Sequence, residues 1–360
     1  MTRSSPWLGI GVYDDTPGSP PIALQLDAAQ DLVGPAGYVV LFFWPLLGPD
    51  SRKISKEAIA ARLRTAYSRN LRVIARLGWS GAMRDYADRG SNFSRYTRVA
   101  EEFANTVGQM PLPPPRLQPL LVHTGNELNA CNEWKCSDAD RRVLDLVTRV
   151  KEVGGFMSDT FATLSTLRAA KNGSLWLAHG SLSSWQHNGC ECGTNRAVGL
   201  GRPGTTFMEQ LLDRRPSLYA DVRWLSSHSY PYSNQNFSTD PQSKAFKGLT
   251  YYRSELATIQ RATTLPAVLT ETGWARHGND NQVSASNQAT WLQRAADEIW
   301  APDASVLSVC PFLLAGRFWQ TRGWNFLACP NSSSIGPCTD RLPVYDQWKL
   351  AARNLTGRSL

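Results

Sequence analysis

The sequence predicts an α/β fold, a single (β/α)8 TIM barrel that forms one catalytic domain over residues 1–360. Three observations lead to this prediction. Short apolar, β-prone runs alternate with helical segments along nearly the full length, eight strand–helix units can be counted, and no repeat or interdomain linker interrupts them. Continuous apolar strands separated by helices indicate a parallel sheet, and eight such units close into a barrel.

The first four units lie within the first half of the chain. Strands are predicted at residues 7–13, 37–44, 71–77 and 119–122, and the helices that follow them at 22–33, 55–68, 96–107 and 137–170. Ser55 and Ser137 precede their helical segments as N-caps. The proline-rich stretch 111–115 ends the third helix before strand four, and it is too short to separate two domains.

The last four units follow the same order. Strands are predicted at 175–179, 222–228, 265–269 and 306–309, and helices at 207–212, 250–261, 284–299 and 344–354. A doubly wound open sheet is the structural alternative, but it needs a phosphate-binding glycine loop after an early strand. The run Gly78-Trp79-Ser80-Gly81 does not fit that pattern.

Composition excludes some classes of protein. Apolar residues make up 42% and charged residues 19% of the chain, which is ordinary for a globular protein, and no apolar run is long enough to span a bilayer. The net charge of +8 indicates a solvated basic surface or, alternatively, contact with an anionic polysaccharide. Nucleic acid is not expected as a partner, because no block of Lys and Arg stands out.

The cysteines and possible glycosylation sites bear on location. Five Asn-x-Ser/Thr sequons favour a secreted or extracellular glycoprotein, although the first residues contain no apolar signal region, so a cytosolic protein is the alternative. We predict a Cys131–Cys136 disulfide and expect Cys310 to be a buried thiol. Paired C-x-x-C motifs are absent and the five histidines are scattered, so no metal or other cofactor is expected.

Two glutamates are the strongest functional signal. Glu127 follows the apolar run 119–122, and Glu271 follows the apolar run 265–269. Each therefore lies where a predicted strand, the fourth or the seventh, ends at the carboxyl-terminal rim of the barrel, where barrels of this kind carry out their chemistry. Glycoside hydrolysis needs two such carboxyls, one protonated to release the leaving group and one ionised to attack the sugar.

The residues around these glutamates carry a family resemblance. Asn126-Glu127, the His-x-Tyr of His228 and Tyr230, and Glu271 within the run 269–274 resemble the motifs of clan A of the glycoside hydrolases, and the last is similar to the nucleophile motif of the β-1,3-glucanase family. That family usually has Pro where this chain has Ala275. The resemblance implies a retaining mechanism, with Glu127 as acid/base and Glu271 as nucleophile.

Other residues are candidates for substrate binding or for tuning the site. Asn126 is expected to donate to the sugar 2-hydroxyl, and His228 to make polar contacts. Tyr230 and Arg76 are expected to keep Glu271 ionised; Arg76, after strand three, replaces the arginine that many clan members carry after strand two. Because sugar faces stack on indoles, tryptophans that follow strands are also candidates: Trp44, Trp274, Trp319 and Trp324.

The sequence therefore predicts a retaining enzyme, a monomer, that cleaves β-linked glycans and whose partner is an oligo- or polysaccharide. Two alternatives remain open. A transglycosylase would use the same site with a sugar hydroxyl as acceptor, and an inactive glycan-binding barrel would keep only the cleft. Such inactive barrels usually lose a catalytic glutamate, and both are present here.

Overall fold

The computed structural model of the chain describes residues 8–12, 20–43, 55–78, 93–129, 146–182, 204–231, 236–260, 264–276, 283–316, 323–328 and 340–356. The predicted Cys131–Cys136 disulfide lies outside the described residues, as do Trp44 and Trp319. Those three expectations stay predictions.

Eight parallel strands form the barrel, in the order of the chain, β1 to β8. A bridge between Leu8 and Val309 joins the first strand to the last. Gly11 continues this closure, because its N–H donates to the Pro311 carbonyl at 3.0 Å and its carbonyl accepts from the Leu314 N–H at 2.8 Å. The strands are β1 Gly9–Val12, β2 Tyr38–Phe43, β3 Arg72–Leu77, β4 Leu120–Thr124, β5 Leu175–His179, β6 Val222–His228, β7 Ala267–Glu271 and β8 Val306–Val309.

Helices follow the strands and pack around them. They are α1 Ile22–Val33, α2 Lys56–Ser68, α3 Phe93–Gln109, α4 Leu146–Ala170, α5 Gly204–Arg214, α6 Lys244–Leu249, α7 Tyr251–Ile259, α8 Ala285–Ala295 and α9 Pro343–Thr356. A short antiparallel pair, β9 Leu327–Ala328 with β10 Asp340–Arg341, lies between β8 and α9. The predicted (β/α)8 barrel is thus confirmed. None of the described helices combines the length and the apolarity that crossing a membrane requires.

Serine caps explain where several helices begin. Ser55 accepts a hydrogen bond from the Ala58 N–H at 3.2 Å, as predicted, and Ser284 caps α8 in the same way. The helix predicted at 250–261 corresponds to α7, and a separate helix that was not predicted, α6, precedes it and is capped by Ser243. Thr250 separates α6 from α7 with non-helical backbone angles. The sixth unit therefore contains two short helices.

The core has two layers. The outer layer fills the space between strands and helices, and the inner layer fills the barrel. Strand β1 contributes Gly9 and Gly11 to the inner side, because a Cβ there would lie 2.5 Å from Cys310 Sγ or 2.1 Å from the Phe312 carbonyl oxygen. Larger side chains from other strands occupy the interior, including Tyr38, Val40, Ile74, Leu121, Trp224 and Val268.

Candidate active site

Glu127 lies just beyond β4 on unusual backbone. Its φ is 37°, and that of Gly125 is 78°, so both residues are in the left-handed region. A Cβ on Gly125 would lie 2.5 Å from the buried side chain of Leu128, which anchors this turn. A non-glycine residue in this conformation is strained, and such strain concentrates at functional sites. The turn leaves the Glu127 side chain 18% exposed at the rim.

Glu271 is the last residue of β7 and is buried. Its Oε1 forms an ion pair with Nη1 of Arg76, which lies on β3. Its Oε2 accepts a hydrogen bond from the Tyr230 hydroxyl at 2.9 Å. The Arg76 guanidinium lies over the Phe42 ring, with its central carbon 4.8 Å from the ring centroid. This cation–π contact also holds the arginine of the ion pair in place. The structure thus brings together the two donors that the sequence predicts for Glu271.

These contacts set the charge of Glu271. Burial by itself raises its pKa. Electrostatic interactions with His228 and Arg76, together with the hydrogen bonds from Arg76 and Tyr230, outweigh burial and hold the pKa of Glu271 below its ordinary value. Burial, the charge of Glu271 and then that of Glu127 raise the pKa of Tyr230 well above its usual range. Tyr230 is therefore a neutral donor and Glu271 an ionised acceptor.

His228 connects the two carboxyls. Its Nδ1 lies 3.1 Å from Glu127 Oε1 and 3.5 Å from Glu271 Oε2. The register between β6 and β7 shifts between Ser227 and His228, and the shift pairs His228 with Glu271. Such irregularities re-aim side chains at the edges of sheets. One fully buried imidazole nitrogen thereby faces both glutamates.

The aromatic candidates separate into two groups. Trp324 is half-buried beside the site: its ring lies 5.3 Å from that of Tyr230 and 5.7 Å from that of Phe312, both edge-on. Trp274 is only 1% exposed and packs against Phe237 and Trp291 in the outer core layer. The structure does not bring Trp274 to the glutamates, because its side chain fills space between strand and helix.

Two further polar groups lie close to the predicted site residues. Asn126 is buried directly before Glu127. His123, on β4, is fully buried, and its ring packs edge-on against Trp224 inside the barrel. Burial, and then the charges of Arg76 and His228, lower the pKa of His123 well below its ordinary value, so this histidine is neutral. We assigned no role to His123 from the sequence; its position two residues after the inward-facing Leu121 is the signal that could have found it.

Within the described ranges, no group of three His, Cys, Asp or Glu side chains is arranged to hold a metal ion. Among the described residues, Glu271 is paired with Arg76, and His228 lies within 4 Å of both glutamates. The site can therefore offer a sugar one ionised and buried carboxylate, one partly exposed carboxyl, and an aromatic surface.

Comparison with known proteins gives a likeness of structure alone. No family model matches the chain, and no curated protein matches it. A family 39 glycoside hydrolase from Bacteroides cellulosilyticus matches over 98% of this chain and 64% of its own, with a TM-score of 0.60 and 13% identity. A GH5_18 protein from Streptomyces cattleya, in complex with Manβ1-4GlcNAc, matches over 99% of this chain and 82% of its own, with a TM-score of 0.61 and 15% identity.

A third structure is a family 128 (subgroup II) endo-β-1,3-glucanase from Sorangium cellulosum, which matches over 96% of this chain and 98% of its own at a TM-score of 0.51 and 14% identity. The chain thus covers a little under two thirds of the family 39 protein and nearly all of the family 128 one. At these identities the shared property is the fold. The resemblance to clan A is confirmed at that level.

Proposed function

We propose that this protein is a retaining glycoside hydrolase that cleaves β-linked glycans, with Glu271 as nucleophile and Glu127 as acid/base. The observation that carries the proposal is the convergence of both carboxyls on one nitrogen of His228. Two oxygens at 3.1 and 3.5 Å from one atom can be no farther apart than the sum of those distances. Retaining enzymes hold their carboxyls about 5–5.5 Å apart and inverting enzymes about 6.5–9.5 Å apart, so the approach of both carboxyls to one nitrogen supports the retaining arrangement.

The environments of the two carboxyls favour different roles. Glu271 is buried and held ionised by Arg76, Tyr230 and His228, as a nucleophile must be. Glu127 is more exposed and makes no contact with Arg76 among the described residues. This asymmetry supports the assignment that the motifs suggest.

The proposed reaction takes two steps. A Glu271 oxygen attacks the anomeric carbon, the glycosidic C–O bond breaks, and the leaving oxygen takes the proton of Glu127. The negative charge of Glu271 is then lost in the ester. In the second step Glu127 accepts a proton from water, the water oxygen bonds to the anomeric carbon, and the ester bond to Glu271 breaks, which restores both groups.

Trp324 and Asn126 are proposed to hold the sugar. The exposed part of the Trp324 ring, beside Tyr230, offers a face for the C–H side of a sugar ring. Asn126 precedes the acid/base and is proposed to donate to the 2-hydroxyl, a contact that strengthens in the transition state.

The test is hydrolysis of a glycan panel followed by azide rescue. The panel should include β-1,3-glucans and β-1,4-linked mannosides, because similar structures are an endo-β-1,3-glucanase and a complex with Manβ1-4GlcNAc. We expect Glu271→Ala to be inactive and azide to restore turnover with an inverted product. For Glu127→Ala, azide should give a retained product. Swapped products would reverse the two roles, and full activity of either variant would remove that residue from the mechanism.

A further inference from the structure

The side chains at the carboxyl end of strand β6 alternate between two sides of the strand. His228 and Tyr230 point to the glutamates. The residues that alternate with them, Ser227 and Ser229, point away from the barrel interior toward helix α7. All of these side chains are buried. The strand end therefore has a catalytic face and a second polar face that the proposed mechanism does not use.

A continuous hydrogen-bond chain runs over this second face. The carboxyl of Glu255, on α7, lies 2.5 Å from the Ser227 hydroxyl, and that hydroxyl lies 2.9 Å from the Ser229 hydroxyl. The Tyr252 N–H donates to the Ser229 hydroxyl at 3.1 Å. The Ser229 carbonyl accepts from the Thr272 hydroxyl at 2.7 Å, and Thr272 directly follows Glu271.

We propose that Glu255 is a positioning residue for the two glutamates, acting through Ser227 and Ser229 on the strand end that carries His228 and Tyr230. The inference rests on the proposed function. The chain ties one helix to the residues that flank both halves of the site, since Ser229 lies between His228 and Tyr230 and also holds Thr272. Misplacing reacting groups by about 1 Å costs on the order of 100-fold in rate.

The protonation state of Glu255 decides the direction in which the hydrogen bonds of this hydrogen-bond chain are donated. The Tyr252 N–H can only donate, so Ser229 always accepts from it. A neutral Glu255 can donate to Ser227, which leaves the Ser227 proton for Ser229. An ionised Glu255 can only accept, so Ser227 must donate to it and Ser229 must donate to Ser227. Ionisation of Glu255 therefore reverses the direction in which the Ser227 and Ser229 hydroxyls donate, next to His228 and Tyr230.

The surroundings of Glu255 keep it neutral at pH 7. Burial raises its pKa to about 8, and the hydrogen bond from Ser227 lowers it only in part. Its other oxygen, Oε1, has no partner among the described residues. Burial and Ser227 account for this shift, and the ionisable groups on α7 and on the described elements packed against it are not among its causes: Tyr252 and Arg253 on α7, Arg223 and His228 on β6, Glu271 on β7, Glu209, Asp213 and Arg214 on α5, and Lys244 and Lys247 on α6.

The experiment compares Glu255→Ala, Glu255→Gln and a control, Thr258→Val. Thr258 is buried on the same helix, and among the described residues its hydroxyl donates to the Ser254 carbonyl of that helix rather than to β6. We expect Glu255→Ala to lower kcat by about 10-fold or more with little change in KM, because it removes positioning rather than sugar contacts. Glu255→Gln, which can still donate to Ser227, should recover most of that loss at pH 6, and the control should match wild type.

A second measurement does not depend on turnover. Nitrogen-15 histidine NMR should show an inflection of the His228 signals near pH 8 in the wild type, where Glu255 ionises. The inflection should be absent in Glu255→Gln. If Glu255→Ala fails to fold, Ser229→Ala tests the same link. If the wild type cleaves no glycan, the proposed function fails while the His228 signals still test the chain. Equal kcat in Glu255→Ala and Thr258→Val, or no inflection, would overturn the positioning role.

Discussion

At the scale of single residues, the site depends on how one carboxylate is kept ionised after it is buried. Burial of Glu271 away from water disfavours its ionised form, and the interactions with Arg76, His228 and Tyr230 together compensate for that cost. The same groups prevent Glu271 from taking a proton from solvent at neutral pH. Of this group, His228 lies 3.1 Å from Glu127, and Tyr230 interacts with Glu127 through charge. The proposed division of labour between the two glutamates is consistent with these different neighbours.

Arg76 should control the acidic limit of activity. We expect Arg76→Met to raise the pKa of Glu271, and since the nucleophile must be ionised, the acidic limb of kcat/KM should move to higher pH, by about 1–3 units. Arg72→Met is a matched control, because Arg72 lies on the same strand but contacts Tyr38, which belongs to the inner layer, at 3.2 Å. A pH profile of both variants checks this, and an unmoved limb in Arg76→Met would contradict the role of the ion pair.

Trp324 and Trp274 should respond in opposite ways to substitution. Trp324→Ala removes a half-buried ring beside Tyr230, so we expect kcat/KM to fall while the melting temperature changes little. The lost stacking is worth about 1 kcal/mol. Trp274→Ala empties a core position and should lower the melting temperature instead. Steady-state kinetics on a confirmed substrate and thermal unfolding separate the two; wild-type kcat/KM in Trp324→Ala would exclude stacking at the reacting sugar.

At the scale of elements, the sixth strand–helix unit combines contacts to the proposed catalytic glutamates with contacts to its own helix. Strand β6 gives alternate side chains to the barrel interior and to α7, and α7 contributes the buried carboxyl of Glu255. A buried carboxyl with one weakly compensated oxygen is costly to ionise. Helix α7 is also tied to the loop before β8, because Tyr252 and Arg253 donate to Asp303 at 2.7 and 2.8 Å. The unit therefore links the site to helix α7 and, through Asp303, to the loop before β8.

Glu255 should make stability depend on pH. Its pKa is about 8 in the folded protein, against an ordinary value of 4.5, so the stability it contributes is fully present below about pH 4.5 and is lost as pH rises through 8. We expect Glu255→Gln to become more stable than wild type over this window, by about 1.4 kcal/mol for each unit of pKa shift removed, as an upper bound. Urea unfolding at pH 5, 7 and 9 checks this. Thr258→Val should give a difference that does not change with pH, and the same flat result for Glu255→Gln would contradict the burial argument.

At the scale of the whole molecule, the barrel closes where side chains are smallest. Gly11 allows the carbonyl of Phe312 to approach, and its own backbone groups pair with Pro311 and Leu314. The same segment after β8 brings Phe312 against Trp324. Closure of the barrel and the aromatic side of the site therefore both involve the segment that follows β8 and pairs with β1.

A glycine pair tests this closure. In Gly11→Ala the new methyl would lie 2.1 Å from a backbone oxygen that cannot easily move, so we expect a loss of about 1–3 kcal/mol or more in the free energy of unfolding. In Gly108→Ala, within α3, the nearest atom is Leu167 Cδ1 at 3.7 Å, and a gain of roughly 0.5–1 kcal/mol is expected. Urea unfolding of both variants is the measurement. Equal stabilities would show that the barrel relaxes around Gly11.

The sequence by itself determined the eight strands, the helices apart from α6, and the position of both glutamates at or just beyond strand ends, because apolar periodicity and strand termination are local properties of the chain. Helix α6 was missed, since a single serine cap is a weak local signal. Tertiary structure alone decided which side chains meet. Arg76 and Glu271 are 195 positions apart, and only barrel register brings them together. It also decided that Trp274 packs outward and that Ser227 reaches Glu255, because the direction of a side chain at a strand end depends on pairing and packing with neighbouring elements.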